Sequence, residues 1–97
     1  MPTYMIHGRW TPQGAQNIKE SPARLDAAKK FFEPMGIRTK EFYMTTGEDD
    51  ICVILEAPDD SILAQGLLML VSKGSLTTRT VRAFTEDEYR EVIKKLP

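Results

Sequence analysis

Five consecutive apolar residues, Ile51 to Leu55, mark a strand that can leave neither of its faces in water. A period of two sends Ile51, Val53 and Leu55 to one side and Cys52 and Ile54 to the other. Around this run the pattern alternates. Thr3 to Trp10 places Tyr4, Ile6, Gly8 and Trp10 on one face and Met5, His7 and Arg9 on the opposite one. Gly8 would weaken a strand interior unless it marks a bulge or a close backbone approach. Ile37 to Thr46 sets Phe42 and Met44 against Glu41, Tyr43 and Thr45, and Gly47-Glu48-Asp49-Asp50 supplies the hairpin turn into Ile51. Leu76 to Phe84 separates Leu76, Thr78, Thr80, Arg82 and Phe84 from Thr77, Arg79, Val81 and Ala83.

Between these strands the period lengthens to that of a helix. Thr11-Pro12-Gln13-Gly14 breaks the first strand with turn chemistry, and Gln16 to Glu20 has room for one helical turn. Ser21-Pro22 reads as a serine N-cap with proline at the first helical position. Leu25, Ala28, Phe32 and Met35 follow at helical spacing, with Phe31 beside them. Pro34 biases Glu33 away from helical geometry, which ends this helix near Phe32 or Glu33. Asp59 or Asp60 caps a third segment with a wide stripe of Ile62, Leu63, Leu67, Leu70 and Val71, running to Lys73 before Gly74. Thr85 and Glu88 form a capping box for a last helix whose inner face is Tyr89, Val92, Ile93 and Leu96.

The order β-α-β-β-α-β-α predicts an α+β, ferredoxin-like fold with an added C-terminal helix and a four-stranded antiparallel sheet. Strands one and three occupy the centre. Both main helices cover one face, and an antiparallel sheet then usually turns a polar face to water. The central strand does not comply, since whichever of its sides faces outward is apolar. Each fully buried aliphatic side chain contributes about 1.5–3 kcal/mol. The expectation is therefore a homodimer packed through the open sheet face, with Tyr43, Thr78 and Thr80 at its polar margins. The alternative is that the C-terminal helix folds over that face within one chain.

Composition adds boundaries. Ninety-seven residues, 41% apolar and 28% charged, suit one globular domain spanning 1–97. Thirteen basic and 14 acidic residues are scattered and give a net charge of −1, without the basic stripe of a nucleic-acid binder. The apolar runs are too short to span a bilayer. The opening MPTYMIHGRW lacks the charged start and long apolar core of a signal peptide, so a cytoplasmic protein is expected. The single cysteine, Cys52, excludes an intrachain disulfide and an iron–sulfur cluster.

Several segments carry a resemblance: PTYMIHGRWTPQG, NIKESPARLDAAK, FYMTTGEDD, EAPDD and LTTRTVRAFTEDEY. Together, and in this order over nearly the whole chain, they resemble the GYD domain family. The resemblance implies a small bacterial-type protein of the dimeric ferredoxin-like α+β barrel group, with no established activity. The hairpin of that family carries a tyrosine before its aspartate. Here Gly47 and Asp50 match and Asp49 stands in place of the tyrosine, so a function built on that phenol does not transfer.

Candidate chemistry is sparse. His7 is the only histidine, hence the only side chain titrating near neutrality when unperturbed. It can serve as a general base in a pocket; the plainer reading is a core or interface histidine. Tyr4, Trp10 and Tyr43 can line an apolar ligand site, or simply pack. Asp50 completes the candidate ligand-binding set of Tyr4, His7, Trp10, Tyr43 and Asp50, or accepts backbone hydrogen bonds that fix the turn. Glu48, Asp49 and Asp50 offer hard oxygen ligands, but adjacent turn carboxylates are ordinarily just solvated, so no metal and no cofactor is expected. Arg79 and Arg82 fall on opposite faces of one strand and cannot grip one anion. Cys52 reads as a small buried hydrophobe. Two functions remain: a non-enzymatic dimeric module that binds a small molecule or a partner protein, and a cofactor-independent enzyme acting by proton transfer or monooxygenation with His7 as base.

Overall fold

The computed structural model describes residues 1–97. Four antiparallel strands, β1 (Thr3–Trp10), β2 (Arg38–Met44), β3 (Ile51–Glu56) and β4 (Leu76–Ala83), form one sheet in the order β2-β3-β1-β4. Helices α1 (Pro12–Gln16) and α2 (Ser21–Phe32) join β1 to β2, α3 (Asp60–Val71) joins β3 to β4, and α4 (Glu86–Lys94) follows β4. This is the predicted order and strand arrangement. The β1–β3 register sets Tyr4 opposite Leu55 and Ile6 opposite Val53. The core lies between that face and the helices: Tyr4, Ile6, Phe32, Ile37, Leu55, Ala57, Leu63 and Leu67 form one buried cluster. Gly8 sits where β1 passes Ile51 and Leu76; a Cβ there would stand 2.8 Å from Ile51 Cγ1. β2 loses register between Thr39 and Glu41.

Four local expectations are corrected. Ser21 does not cap α2. Ile18–Glu20 already turns as a 3-10 helix, and Ser21 enters with helical backbone (φ −60°, ψ −38°), so its hydroxyl has no free amide to meet. Pro22 nevertheless occupies the first turn, where its missing N–H costs nothing. Glu33 also stays helical before Pro34 (φ −55°, ψ −51°), and the chain tightens into a 3-10 turn over Glu33–Met35 before Gly36 at φ 78° stops it. The turn residues after β1 instead form α1, capped by Thr11, whose Oγ1 accepts from the Gly14 amide. Asp59, one of the two predicted candidates, caps α3 through the Ile62 amide at 2.9 Å, and the helix ends at Val71, two residues short of Lys73.

The largest correction concerns α4. Its capping box is as predicted: Glu88 N donates to Thr85 Oγ1 at 3.2 Å and Thr85 N to Glu88 Oε1 at 3.0 Å. Its expected inner face is not an inner face. Tyr89, Val92, Ile93 and Leu96 are 58%, 48%, 48% and 62% exposed, because α2 and α3 already close the core. The molecule is accordingly elongated, 52 × 31 × 18 Å.

The cap makes α4 sensitive to acid. The Thr85 amide hydrogen bond holds the Glu88 carboxyl below its ordinary 4.5. A depressed carboxyl stabilises the fold above its unfolded pKa, and that contribution is lost as pH falls through the folded one. Amide exchange at Thr85 is expected to accelerate as pH drops below 4.5 by more than in a Glu88→Gln variant, after correction for intrinsic exchange rates.

Candidate functional site

The five candidate ligand residues do not line one cavity. The sheet divides them. Tyr4 and Trp10 lie on the helix side, and His7 and Tyr43 on the open side, paired across Cys52 of β3. Asp50 joins neither group. Its carboxylate accepts from the Trp10 amide at 2.9 Å and its own amide donates to Gly8 O at 2.8 Å, so it extends the β1–β3 ladder and fixes the turn.

On the helix side a cleft of about 200 Å³ runs between α2 and the sheet. Ile6, Leu25, Ala28, Phe42, Val53 and Leu70 supply an almost wholly apolar wall, with Trp10 at one end. Arg24 covers the indole, its guanidinium 5.7 Å from the ring centroid. That guanidinium donates to Asn17 O (3.1 Å) and Gly14 O (3.3 Å), which commits it to the α1–α2 turn and leaves the cleft without a convergent polar group. Tyr4 lies outside this cleft, 3% exposed, and its hydroxyl donates to Asp60 at the start of α3. This hydrogen bond, then burial, raises the phenol above its ordinary 10.0, with Arg82 opposing. Tyr4 is thereby a clamp between β1 and α3.

The open face carries a different constellation. Asp49 gathers three basic groups: Arg79 Nη2 at 3.1 Å, Arg9 Nε at 3.5 Å and His7 Nδ1 at 3.5 Å. Glu48 adds a second contact to Arg9 at 3.4 Å. Glu48 and Asp49 thus share Arg9, while Asp50 turns away to the Trp10 amide, so the three turn carboxylates do not form one cluster. His7 sits in a shallow polar hollow with Thr77 and Arg79, open to solvent. Beyond it, Met5, Cys52, Ile54 and Val81 make the centre of the face apolar, because Met5 pairs with Ile54 on one flank and Val81 on the other. Cys52 is half-buried here, more accessible than a core position would leave it.

Thr78 and Thr80 are not at the margin of this face. They pair with Gly8 and Ile6, which puts them on the helix side beside α3. Arg79 and Arg82 do fall on opposite faces. Sequence reasoning missed the Asp49 cluster, although the alternation of β4 already aimed Arg79 to the same side as His7. Nothing local signals Arg24 over Trp10, since that contact depends on how α1 turns back.

A model of the GYD domain matches residues 4–93, nearly the whole chain. The chain belongs to the GYD domain family. A curated relative in Thermus thermophilus is named glutamine synthetase and cystathionine beta-lyase binding protein. It is 31% identical over 84 residues, which cover 86% of this chain and 88% of the relative. Among solved structures, the crystal structure of FFRP-DM1 superposes with a TM-score of 0.57 at 22% identity, over 87% of this GYD chain and 100% of that one. The C-terminal domain of the MgtC protein from Mycobacterium tuberculosis does so at 0.54 and 11%, over 86% and 88%. At these identities the two structures speak to the fold alone, and they agree with the ferredoxin-like reading. No helix is long and apolar enough to cross a membrane.

Proposed function

We propose that this GYD protein is a single non-catalytic module of the cytoplasm, which works as a homodimer by binding a partner protein. The observation that carries the reading is the match, over most of both chains, to a relative named for binding two enzymes. The surface supports it. The residues best suited to chemistry are split between two faces, and the His7 imidazole lies in an open hollow beside Asp49 and two arginines, where a substrate would stay solvated. Exposed apolar groups are plentiful instead, on the sheet and on α4.

The partner class follows from the relative: a metabolic enzyme of nitrogen or sulfur amino-acid chemistry. Calorimetric titration of purified chain into the glutamine synthetase and cystathionine beta-lyase of the same organism is expected to give saturable binding to at least one. Absence of heat and of co-elution with both would overturn the reading. A second reading is favoured by the helix-side cleft, whose apolar wall suits a compact apolar small molecule. Trp10, the only tryptophan, lines that cleft, so its emission reports occupancy directly. A saturable shift of that emission with naphthalene-class probes, absent in Ala28→Trp after subtraction of the added indole, is the outcome expected if the cleft takes a ligand.

A further inference from the structure

The arm formed by α4 is too short to stand alone. Isolated helices below about 12–15 residues are marginal in water, and in proteins their stability comes from packing an apolar face. Here the helix spans nine residues and its apolar stripe, Tyr89, Val92, Ile93 and Leu96, joins no core. The root is nonetheless held firmly. Arg82 stacks over the Phe84 ring at 4.4 Å and pairs with Glu88 at 3.8 Å, and the capping box fixes the first turn. A fixed root with a bare stripe presents an aimed surface.

The size of the bare surface indicates what covers it. A compact monomer of this mass exposes about 5,600 Å², whereas this chain exposes 6685 Å². The radius of gyration is likewise 14.7 Å, against about 12.5 Å for a compact chain of this length. The excess, about 1,100 Å², exceeds the roughly 800 Å² that each partner buries in a standard-sized interface. The same chain also leaves a second apolar surface without a layer over it, the Met5–Ile54–Val81 centre of the open sheet face, where Met5 and Ile54 are half-buried and Val81 is exposed. Two unpartnered apolar surfaces on one chain are satisfied together by a two-fold exchange, in which each copy supplies one to the other.

We infer that α4 is an exchange arm: in a pair of copies, the Tyr89–Val92–Ile93–Leu96 stripe of each lies on the open sheet face of the other. The occupant of each arm is thus a second copy of this chain. The inference rests on the homodimer proposed above and adds to it the element that holds the dimer together.

Sedimentation equilibrium of the full-length chain, from low micromolar to submillimolar concentration, tests both at once. The wild type is expected near twice its 11.0 kDa. Val92→Asp/Ile93→Asp is expected to raise the dimer dissociation constant by about 30-fold or more, and Val81→Asp on the sheet to do the same. Leu68→Ser, an exposed apolar site on α3, leaves it unchanged. Tyr89→Ser serves as a milder arm variant, and near-ultraviolet circular dichroism confirms that each variant keeps a packed core. If Val81→Asp dissociates the pair and both arm variants do not, the sheet-face dimer stands and the exchange arm is overturned. A wild type that stays monomeric throughout overturns both.

Discussion

Replacing Leu55 by alanine is expected to cost about 3 kcal/mol of stability, within the range of about 2–5 seen for buried leucines. Leu55 is the most deeply buried large side chain, 2% exposed, one residue from the end of β3 and opposite Tyr4. Its removal opens a cavity between the helices and the sheet, whose β1–β3 ladder resists moving in to fill it. For a chain of this size the melting temperature should fall by about 12–24 °C. That loss is about a fifth to three-fifths of a total stability of about 5–15 kcal/mol. Chemical denaturation with an unchanged m-value is the measurement. Met44→Ala on β2, where the side chain is 75% exposed, should change stability by less than about 0.5 kcal/mol in the same experiment.

Gly14→Ala should rival it from a position that looks innocuous in the sequence. A Cβ on Gly14 would stand 2.0 Å from the Ser75 carbonyl oxygen, and its other near neighbours are also Ser75 backbone. No rotamer can relieve a clash with main chain. The α1 turn has to lift away from Gly74–Ser75, which breaks the Thr11 amide bond to Ser75 O (3.1 Å) and the Thr11 hydroxyl bond to Gly74 O (2.6 Å). Two hydrogen bonds at about 1 kcal/mol each, with the displaced packing, give an expected loss of about 2–4 kcal/mol. The Arg24 bond to Gly14 O moves with the turn, so the lid over Trp10 loosens and its emission should shift to longer wavelength. Gly47→Ala, with open space around its Cβ position, is the neutral control.

Much of this architecture is legible in the residue pattern, for a definite physical reason. A strand interior obeys a period of two whatever it packs against, so β1, β3 and β4 and the division of their residues between two faces follow from the sequence, but not which face of β4 turns outward. The capping box of α4 and the aspartate cap of α3 are likewise local, one side chain answering an amide two or three residues on. The failures are non-local. Ser21 loses its capping role because the preceding residues already turn, and Tyr89 to Leu96 read as an inner face because amphipathicity shows that a helix has an apolar side without saying which molecule covers it. The candidate ligand residues fail to converge for the same reason. Period two separates Tyr4 from His7; the strand register brings His7 beside Arg79, the hairpin turn adds Asp49, and the fold of α1 onto α2 sets Arg24 over Trp10. Asp49 illustrates the gap best. As a departure from the family tyrosine it marks where a relative's chemistry cannot be borrowed, yet its three basic neighbours come into view only with the strands aligned.

The lost register in β2 has a consequence for how the molecule behaves in a crowd. Between Thr39 and Glu41 the strand no longer offers an even row of amides and carbonyls, and Arg38 and Lys40 add charge beside the irregularity, both close to Glu56. Such an outer strand is a poor template for recruiting another chain. β4 lacks that irregularity: it runs eight residues in unbroken register with its far side unpaired, and Arg79 and Arg82 are its only charges. Of the two outer strands, Leu76–Ala83 rather than Arg38–Met44 therefore offers the more regular row of amides and carbonyls to an added strand.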